Sequence, residues 1–295
     1  MAPPAIVAPA RPTNLRRMQR PPNIVLVLAD DLGIGDLSCT NPEGRIRTPH
    51  HDRLAAEGRR FDDCHSGSAV CTPTRYGLLT GRYCWRTRLR AGVLHGPSGS
   101  LIEPGRPTLA SLLGGAGYAT ACIGKWHLGL GWRLRDGSCA DQHADDPAIA
   151  DLDYAAPLAS GPHSVGFDRS FIIPASLDMA PYLYVEDNRV AEIPDRVIAD
   201  SPRPAFWRGG PIAPGFEHRT CLLEITRRAE AWLLEQTPQR PFFLYLPLPS
   251  PHTPHAPREP FVGASGLGPY GDLVVEHDWS LGRILAALDR RGLAD

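Results

Sequence analysis

Lysine is nearly absent from this chain of 295 residues. Of its 31 basic side chains, thirty are arginine and one is lysine, at position 125. Arginine therefore fills almost every position that requires only positive charge. A lysine differs as a compact ammonium that donates to single oxygens and whose pKa shifts readily. A lone lysine is equally well explained by chance, so Lys125 becomes a candidate site residue only through its sequence context.

A charge excess and long apolar runs are also missing. The net charge of −1 provides no electrostatic footprint for nucleic acid or an acidic membrane, and no run of eighteen apolar residues predicts a membrane span. Residues 1–21, rich in Pro, Ala and Arg, contain no secretory apolar core and are predicted to be a disordered tail. A cytoplasmic location is the default expectation, and a periplasmic or secreted one applies if the true N-terminus differs.

The most informative segment is Cys71-Thr72-Pro73-Thr74-Arg75. Pro73 suits the first turn of a helix, which predicts that a helix begins beside Cys71. The free N–H groups of its first turn and the guanidinium of Arg75 would stabilise negative charge at residue 71. A buried cysteine starting an ordinary helix is the alternative. A tyrosine-phosphatase loop is excluded, because it needs a longer spacing between Cys and Arg than the three residues here.

Alternating apolar strands and amphipathic helices predict a doubly wound α/β sheet flanked by helices, with the site at the carboxyl edge of the sheet. The first strand is a continuous apolar run and is expected to be buried on both faces. Thr48 is expected to cap the first helix. Strands are expected at 23–28, 59–64, 118–123, 167–173 and 241–246. Helices are expected at 48–58, 107–117, 216–236 and 272–290, besides the one at Cys71. Residues 130–215 are expected to form long loops with short strands.

Polar residues follow three of these strands. The first strand ends in Asp30 and Asp31, which as an isolated pair could simply cap a turn. Lys125 ends another strand, and His252 follows the strand at 241–246 in the run Pro251-His252-Thr253-Pro254. A histidine there can donate to an anionic oxygen or protonate a leaving group, whereas a lone histidine is more often structural. Asp36 is expected to be structural.

Four segments together resemble the type I, formylglycine-dependent sulfatases of the alkaline phosphatase superfamily. Thr74 stands where the family more usually has Ser or Ala. The resemblance covers residues 22–295, interpreted as one sulfatase catalytic domain represented by its N-terminal portion. The segments are Cys71 to Arg82, Ile123-Gly124-Lys125-Trp126-His127-Leu128-Gly129, Leu28 to Asp36, and Pro251 to Pro254.

The resemblance implies a sulfuric ester hydrolase, arylsulfatase-like, acting on a sulfated small molecule or carbohydrate. It implies that a formylglycine-generating enzyme oxidises Cys71 to formylglycine, and that Ca²⁺ or Mg²⁺ binds at this residue. Its implied roles are metal binding by Asp30, Asp31 and residue 71, sulfate binding by Lys125 and His252, and orientation of the residue-71 diol by Arg75 and His127. His255 matches the family less reliably.

The same resemblance implies parts that follow residue 295 in sulfatases. These are a strand with an Asp-Asn pair that completes the metal site, a later sulfate-binding lysine, and a small C-terminal domain. Asp272, Glu276 and Asp278 lie on a predicted apolar-striped helix and are not expected to replace the Asp-Asn pair. Two other readings stay open: a formylglycine-dependent phosphonate or phosphodiester hydrolase, and a truncated, non-catalytic homologue.

Overall fold

A computed structural model describes residues 21–142 and 145–294. Its main sheet has six strands in the order β1-β8-β2-β3-β4-β5, and β6 and β7 form a separate antiparallel pair. The first four strands in that order are parallel, and β4 and β5 join them antiparallel. The strands are β1 Ile24–Asp30, β2 Ala119–Lys125, β3 Arg169–Ile173, β4 Val185–Glu186, β5 Arg189–Val190, β6 Arg196–Ile198, β7 Gly210–Ile212 and β8 Phe242–Pro251.

Five α-helices in these residues flank the sheet. They are α1 Pro49–Glu57, α2 Cys71–Thr80, α3 Leu109–Gly115, α4 Cys221–Glu235 and α5 Pro269–Arg291. Helices α4 and α5 pack against each other and against β8, while α3 contacts β2. The expected α/β architecture, a sheet flanked by helices, is therefore confirmed, and the sheet is mostly parallel. No helix in the described ranges is long and apolar enough to cross a membrane.

Strand β8 lies inside the sheet, between β1 and β2, and every one of its residues is buried. It pairs in parallel with β1 on one side and β2 on the other, where Leu244 lies opposite both Val25 and Ala121. The rings of Phe243 and Tyr245 stack on Phe167 with centroids 6.1 and 6.3 Å apart. Such a strand, apolar on both faces, is typical of the interior of a parallel sheet. Its carboxyl end consequently lies between those of β1 and β2.

Strand β1 was expected to be buried on both faces, and this is wrong. Its residues from Ile24 to Ala29 are only half-buried, because in the described residues β1 is an edge strand with β8 as its single neighbour. The expected strand at 59–64 is also wrong. This segment is an exposed bend, and Phe61 is 77 % exposed, so neither face of the segment has a core to pack against.

The helix boundaries follow the sequence pattern with local departures. Thr108 caps α3 by accepting from the Ser111 N–H at 3.0 Å, but Thr48 does not cap α1. The Thr48 hydroxyl instead accepts from the Ser38 N–H at 2.9 Å, which ties α1 to the loop after β1. Helix α4 starts at Cys221 rather than near 216, since residues 218–220 form a short 3₁₀ turn. The predicted disordered tail lies outside the described residues, apart from its last residue.

Candidate active site

Strand ends and one helix N-terminus meet at the carboxyl edge of the sheet. Strand β1 ends at Asp30 and β2 ends at Lys125, and His252 follows the last residue of β8. Helix α2 begins at Cys71, and Arg75, one turn along it, bonds to the ends of both β1 and β2. The structure thus assembles at one edge residues that are far apart in the chain.

The single lysine is fully buried at this edge. Lys125 Nζ donates to the carboxylate of Asp30 and, at 3.0 Å, to the hydroxyl of Ser176. Burial by itself raises the pKa of Asp30, but the charges of Lys125 and Arg75 outweigh burial and lower the pKa to about 2. Asp30 is therefore ionised near neutral pH, and its charge is compensated by two cations.

Arg75 is almost as deeply buried as Lys125. Its Nη1 donates to the Lys125 carbonyl oxygen at 2.7 Å and its Nη2 to Asp30 Oδ2 at 3.2 Å. From the sequence, this guanidinium was expected to stabilise negative charge at the side chain of residue 71. In the structure, these two donors are directed to the ends of β1 and β2, so Arg75 fixes α2 against the sheet.

Residue 71 lies beside the segment that carries His127. Cys71 is half-buried as the first residue of α2. The neighbouring Thr72 hydroxyl donates to the His127 carbonyl oxygen at 2.9 Å and accepts from the Leu94 N–H at 3.2 Å. Thr72 is buried, so this connection is shielded from water and holds the start of α2 next to His127.

His127 is a neutral, buried base. Its Nε2 lies 2.8 Å from the Leu94 carbonyl oxygen, which can only accept, so Nε2 carries the proton. Burial, reinforced by the charge of Lys125, lowers the pKa of His127 well below its ordinary value. Its Nδ1 is buried and has no hydrogen-bond partner within the described residues. The backbone at His127 has a positive φ of 53°, which is uncommon outside glycine and is found at functional sites.

His252 connects the end of β8 to this cluster. Its Nδ1 lies 2.8 Å from the Thr253 carbonyl oxygen and 3.2 Å from Ser176 Oγ, so Nδ1 carries a proton. Its Nε2 faces Asp31 Oδ2 at 3.6 Å. The Ser176 hydroxyl therefore lies between Lys125 and His252, the two side chains that the resemblance assigned to sulfate.

Ser176 and the role of Thr72 were not predicted from the sequence. Ser176 is buried and follows β3 by three residues, at the same sheet edge as the other site residues. The available signal was its position just after a predicted strand in a parallel sheet. Thr72 lay within the Cys71 motif, but nothing in the sequence showed that its hydroxyl reaches a second strand end.

The carboxylates fit one side of a divalent-cation site but do not complete one. Asp31 is exposed and has a positive φ of 63°, while Asp30 is already engaged by Lys125 and Arg75. Calcium takes six to eight oxygen ligands. Across residues 21–142 and 145–294 no group of three His, Cys, Asp or Glu side chains is arranged to hold a metal ion. The described donors thus supply part of a shell.

Asp36 has a structural environment, as expected. Its carboxylate accepts from the Gly33 N–H at 2.8 Å and from the Tyr270 hydroxyl at 2.6 Å, which closes the turn after β1 against α5. His255 packs edge-on against the same Tyr270 ring, with centroids 5.3 Å apart. The three acidic residues of α5 that were not expected to replace the Asp-Asn pair are each held by a partner: Asp272 by Ser265, Glu276 by Arg258, and Asp278 by His51.

Comparison with known proteins identifies a family. The sulfatase family profile matches residues 22–295. The chain is 34 % identical to an N-acetylgalactosamine-6-O-sulfatase of Bacteroides thetaiotaomicron over 93 % of its length, and 36 % identical to a steryl-sulfatase of Mus musculus over 98 %. A solved Bacteroides thetaiotaomicron structure, described under the metabolism of multiple glycosaminoglycans, superposes with a TM-score of 0.77 at 33 % identity over 93 % of this chain.

The match covers only part of each relative. The chain spans 57 % of the bacterial sulfatase, 52 % of the mouse enzyme and 60 % of the solved structure. The family profile nonetheless covers nearly the whole chain. The segments of this chain that resemble sulfatases contain all of its predicted site residues, which are residues 30, 31, 71, 75, 125, 127 and 252. This chain belongs to the sulfatase family.

Proposed function

We propose that the protein hydrolyses sulfate monoesters, with residue 71 as the nucleophile after a formylglycine-generating enzyme has oxidised Cys71. The observation that carries this proposal is the buried Lys125, which is bonded to Asp30 and joined to His252 through Ser176. Such a cluster is suited to an anion with several oxygens. The bacterial relative is named for a sulfated amino sugar, and a sulfated carbohydrate is accordingly the substrate class that we propose.

Two side chains would bind the sulfuryl oxygens. Lys125 has three N–H donors, and Asp30 and Ser176 use two of them, so one is left for a substrate oxygen. His252 donates through Nδ1 to Thr253 and leaves Nε2 facing the open side of the site near Asp31. With a proton on Nε2, His252 would donate to a sulfuryl oxygen or protonate the leaving alcohol.

The neutral His127 would orient residue 71. Its Nδ1 is a buried acceptor without a partner in the described residues, and Thr72 holds its carbonyl next to residue 71. A hydroxyl at residue 71 would therefore satisfy Nδ1 and be held in one orientation, which favours attack in a defined geometry. A hydrated formylglycine at residue 71 would supply two hydroxyls, one as the oxygen nucleophile toward sulfur and one whose deprotonation would re-form the aldehyde as sulfate leaves.

Asp30 and Asp31, together with residue 71, would hold one side of a Ca²⁺ or Mg²⁺ ion. When bound, such an ion lowers the pKa of a neighbouring hydroxyl. Arg75 then acts as a positioning residue, because its guanidinium keeps the Asp30 carboxylate and the start of α2 together.

The test is sulfate release from an aryl sulfate and from a 6-sulfated N-acetylhexosamine. The protein is produced together with a formylglycine-generating enzyme, as wild type, Cys71→Ala and the matched control Cys64→Ala, whose cysteine is exposed. We expect Cys71→Ala to lose turnover and Cys64→Ala to keep it, with an aldehyde found at residue 71 by peptide mass spectrometry. Full turnover by Cys71→Ala would contradict the proposal.

The same assay separates the other two readings. Faster turnover of an aryl phosphonate than of the aryl sulfate would identify a phosphonate hydrolase. A wild-type protein that carries the aldehyde and turns over neither ester would be a non-catalytic homologue.

A further inference from the structure

A surface segment after α2 combines aromatic rings with arginines. Residues 82–90 read Arg-Tyr-Cys-Trp-Arg-Thr-Arg-Leu-Arg. Tyr83 and Trp85 are 57 % and 56 % exposed, and their rings stack with centroids 5.9 Å apart and an interplanar angle of 18°. Between and after them, Cys84 and Thr87 are buried and anchor the segment. The two rings therefore form a stacked aromatic platform that is more than half exposed to solvent.

Three of the four arginines in this segment carry uncompensated charge, while the fourth, Arg82, is paired with Glu103. Arg86, Arg88 and Arg90 are exposed, and none of them forms an ion pair with a carboxylate in the described part of the chain. Arg88 donates to the Gly99 carbonyl oxygen at 2.6 Å, and Arg90 donates to the Trp85 carbonyl oxygen at 2.9 Å. Carbonyls hold a guanidinium in place without neutralising it. The result is fixed positive charge beside the platform, in a chain whose net charge is −1.

A surface cleft of about 870 Å³ adjoins the platform. Thr87 and Arg88 line it together with Arg106 and several serines. Two carboxylates also line the cleft. Glu103 is paired with Arg82 and with Arg106, and Asp141 accepts hydrogen bonds from the Ser100 N–H and the Ser160 hydroxyl, both at 2.6 Å. The volume lies within the usual range for ligand sites.

The cleft is separate from the candidate active site but connected to it. None of its lining residues belongs to the cluster around residue 71. The Leu101 N–H, on the cleft wall, donates at 2.9 Å to the carbonyl oxygen of Leu128, the residue after His127. The cleft wall and the segment that carries His127 are therefore joined by a backbone hydrogen bond.

We propose that the platform and the adjoining cleft bind a sulfated oligosaccharide at sugar units away from the one that reacts. The proposal deepens the proposed function and rests on it. The apolar C–H faces of sugar rings pack on exposed aromatic planes, as other apolar groups do. Guanidinium groups bind sulfate oxygens with two parallel hydrogen bonds, as they bind carboxylate and phosphate. Tyr83 and Trp85 would hold the sugar ring, and Arg86, Arg88 and Arg106 its sulfates.

The experiment measures binding and turnover in the same variants. Calorimetric dissociation constants are determined for a chondroitin 6-sulfate hexasaccharide, for unsulfated hyaluronan hexasaccharide and for single-stranded DNA of equal charge. The variants are Trp85→Ala and Arg88→Gln, with Phe61→Ala and Arg189→Gln as matched exposed controls. Turnover of a small aryl sulfate is recorded for each variant, and thermal melting verifies its fold.

We expect Trp85→Ala and Arg88→Gln each to weaken binding of the sulfated hexasaccharide about tenfold or more, while both controls bind like wild type and aryl sulfate turnover is unchanged. Unchanged hexasaccharide binding in both variants would overturn the proposal. Equally tight binding of the DNA would overturn it as well, since the surface would then be a general polyanion or nucleic-acid site. The wild-type protein could turn over no sulfate ester while the variants still lose hexasaccharide binding. That result would refute the proposed function and support the glycan-binding surface.

Discussion

Lys125 and Asp30 form an ion pair at the carboxyl edge of the sheet, and both side chains are almost completely removed from solvent. Removing one partner of a buried pair leaves the other charge uncompensated, which costs more than the pair itself contributes. Arg75 lies on the same carboxylate, so Asp30 keeps one cation if Lys125 is lost. The pair is thus a point where folding stability and the proposed chemistry depend on the same atoms.

We expect Lys125→Met to abolish sulfate ester turnover and to lower the free energy of unfolding by about 3 kcal/mol, because the Asp30 carboxylate stays buried with only Arg75 beside it. Denaturant unfolding measures the loss. The control Arg53→Met removes an exposed cation from the pair with Asp289 and should change stability much less. A Lys125→Met protein as stable as wild type would show that the pair is not a source of stability.

Ser176→Ala should reduce kcat/KM for an aryl sulfate about tenfold or more, because the hydroxyl that joins Lys125 to His252 is lost and hydrogen bonds to charged groups contribute about 1.5–3 kcal/mol. Steady-state kinetics measure the effect. Ser170→Ala removes a buried hydroxyl from β3, the strand that precedes Ser176, and should leave kcat/KM near the wild-type value. Equal losses in both variants would mean that the effect is general destabilisation.

Gly124→Ala should lower the free energy of unfolding by about 3 kcal/mol. Gly124 precedes Lys125 with a φ of 134°, and a Cβ there would lie 2.2 Å from the Pro247 carbonyl oxygen of β8. Gly115→Ala is the opposite control, since a Cβ at this last residue of α3 meets no atom within 4 Å. It should stabilise the protein by about 0.5–1 kcal/mol. Similar denaturation midpoints for the two variants would contradict the close approach of β2 and β8.

Titration of His277 should make the protein less stable as the pH falls below 6.5. Burial, with the nearby His51, lowers the pKa of His277 to about 3, so the folded state binds fewer protons at this ring than the unfolded state. A depressed folded-state pKa gives stability that is present above the unfolded pKa and is lost on acidification toward the folded one. The expected slope from this group is at most about 1.4 kcal/mol for each pH unit.

The measurement for His277 is the free energy of unfolding between pH 5 and 7.5 for wild type and His277→Asn. The asparagine can keep a hydrogen bond to Ser250, which now lies 2.8 Å from His277 Nδ1, but it does not titrate. The variant should show a shallower slope, with the difference largest at the acid end. Parallel pH dependences would show that His277 is not the titrating group.

The sequence predicted the main parts of the sheet because their patterns are local. Continuous apolar runs mark β1, β2 and β8, and each ends in polar residues that the parallel arrangement brings to one edge. Asp30, Lys125 and His252 could therefore be placed together before any coordinate was known. The side chains that hydrogen-bond to these three residues depend on the order of the strands in the sheet. That order cannot be read from which segments are neighbours in the sequence.

The features that were not predicted from the sequence also depend on the order of the strands. Ser176 lies in a long non-periodic region, so no pattern distinguishes it from other loop serines until β3 is placed beside β2. The direction of Arg75 was also not local, because its acceptors belong to β1 and β2. The run in β1 was assigned to a sheet interior from composition alone, while its burial depends on how many strands flank it.

The position of β8 has a consequence for synthesis of the chain. β8 is the last strand of the described residues, yet it lies between β1, which begins at Ile24, and β2. Ribosomes add about 5–20 residues each second, so β1 waits for more than ten seconds before its parallel partner emerges. During that interval an apolar strand has nothing to pair with, and such segments are prone to aggregate. This protein should therefore depend on chaperones that bind extended apolar segments, and slower translation before β8 should lower its soluble yield.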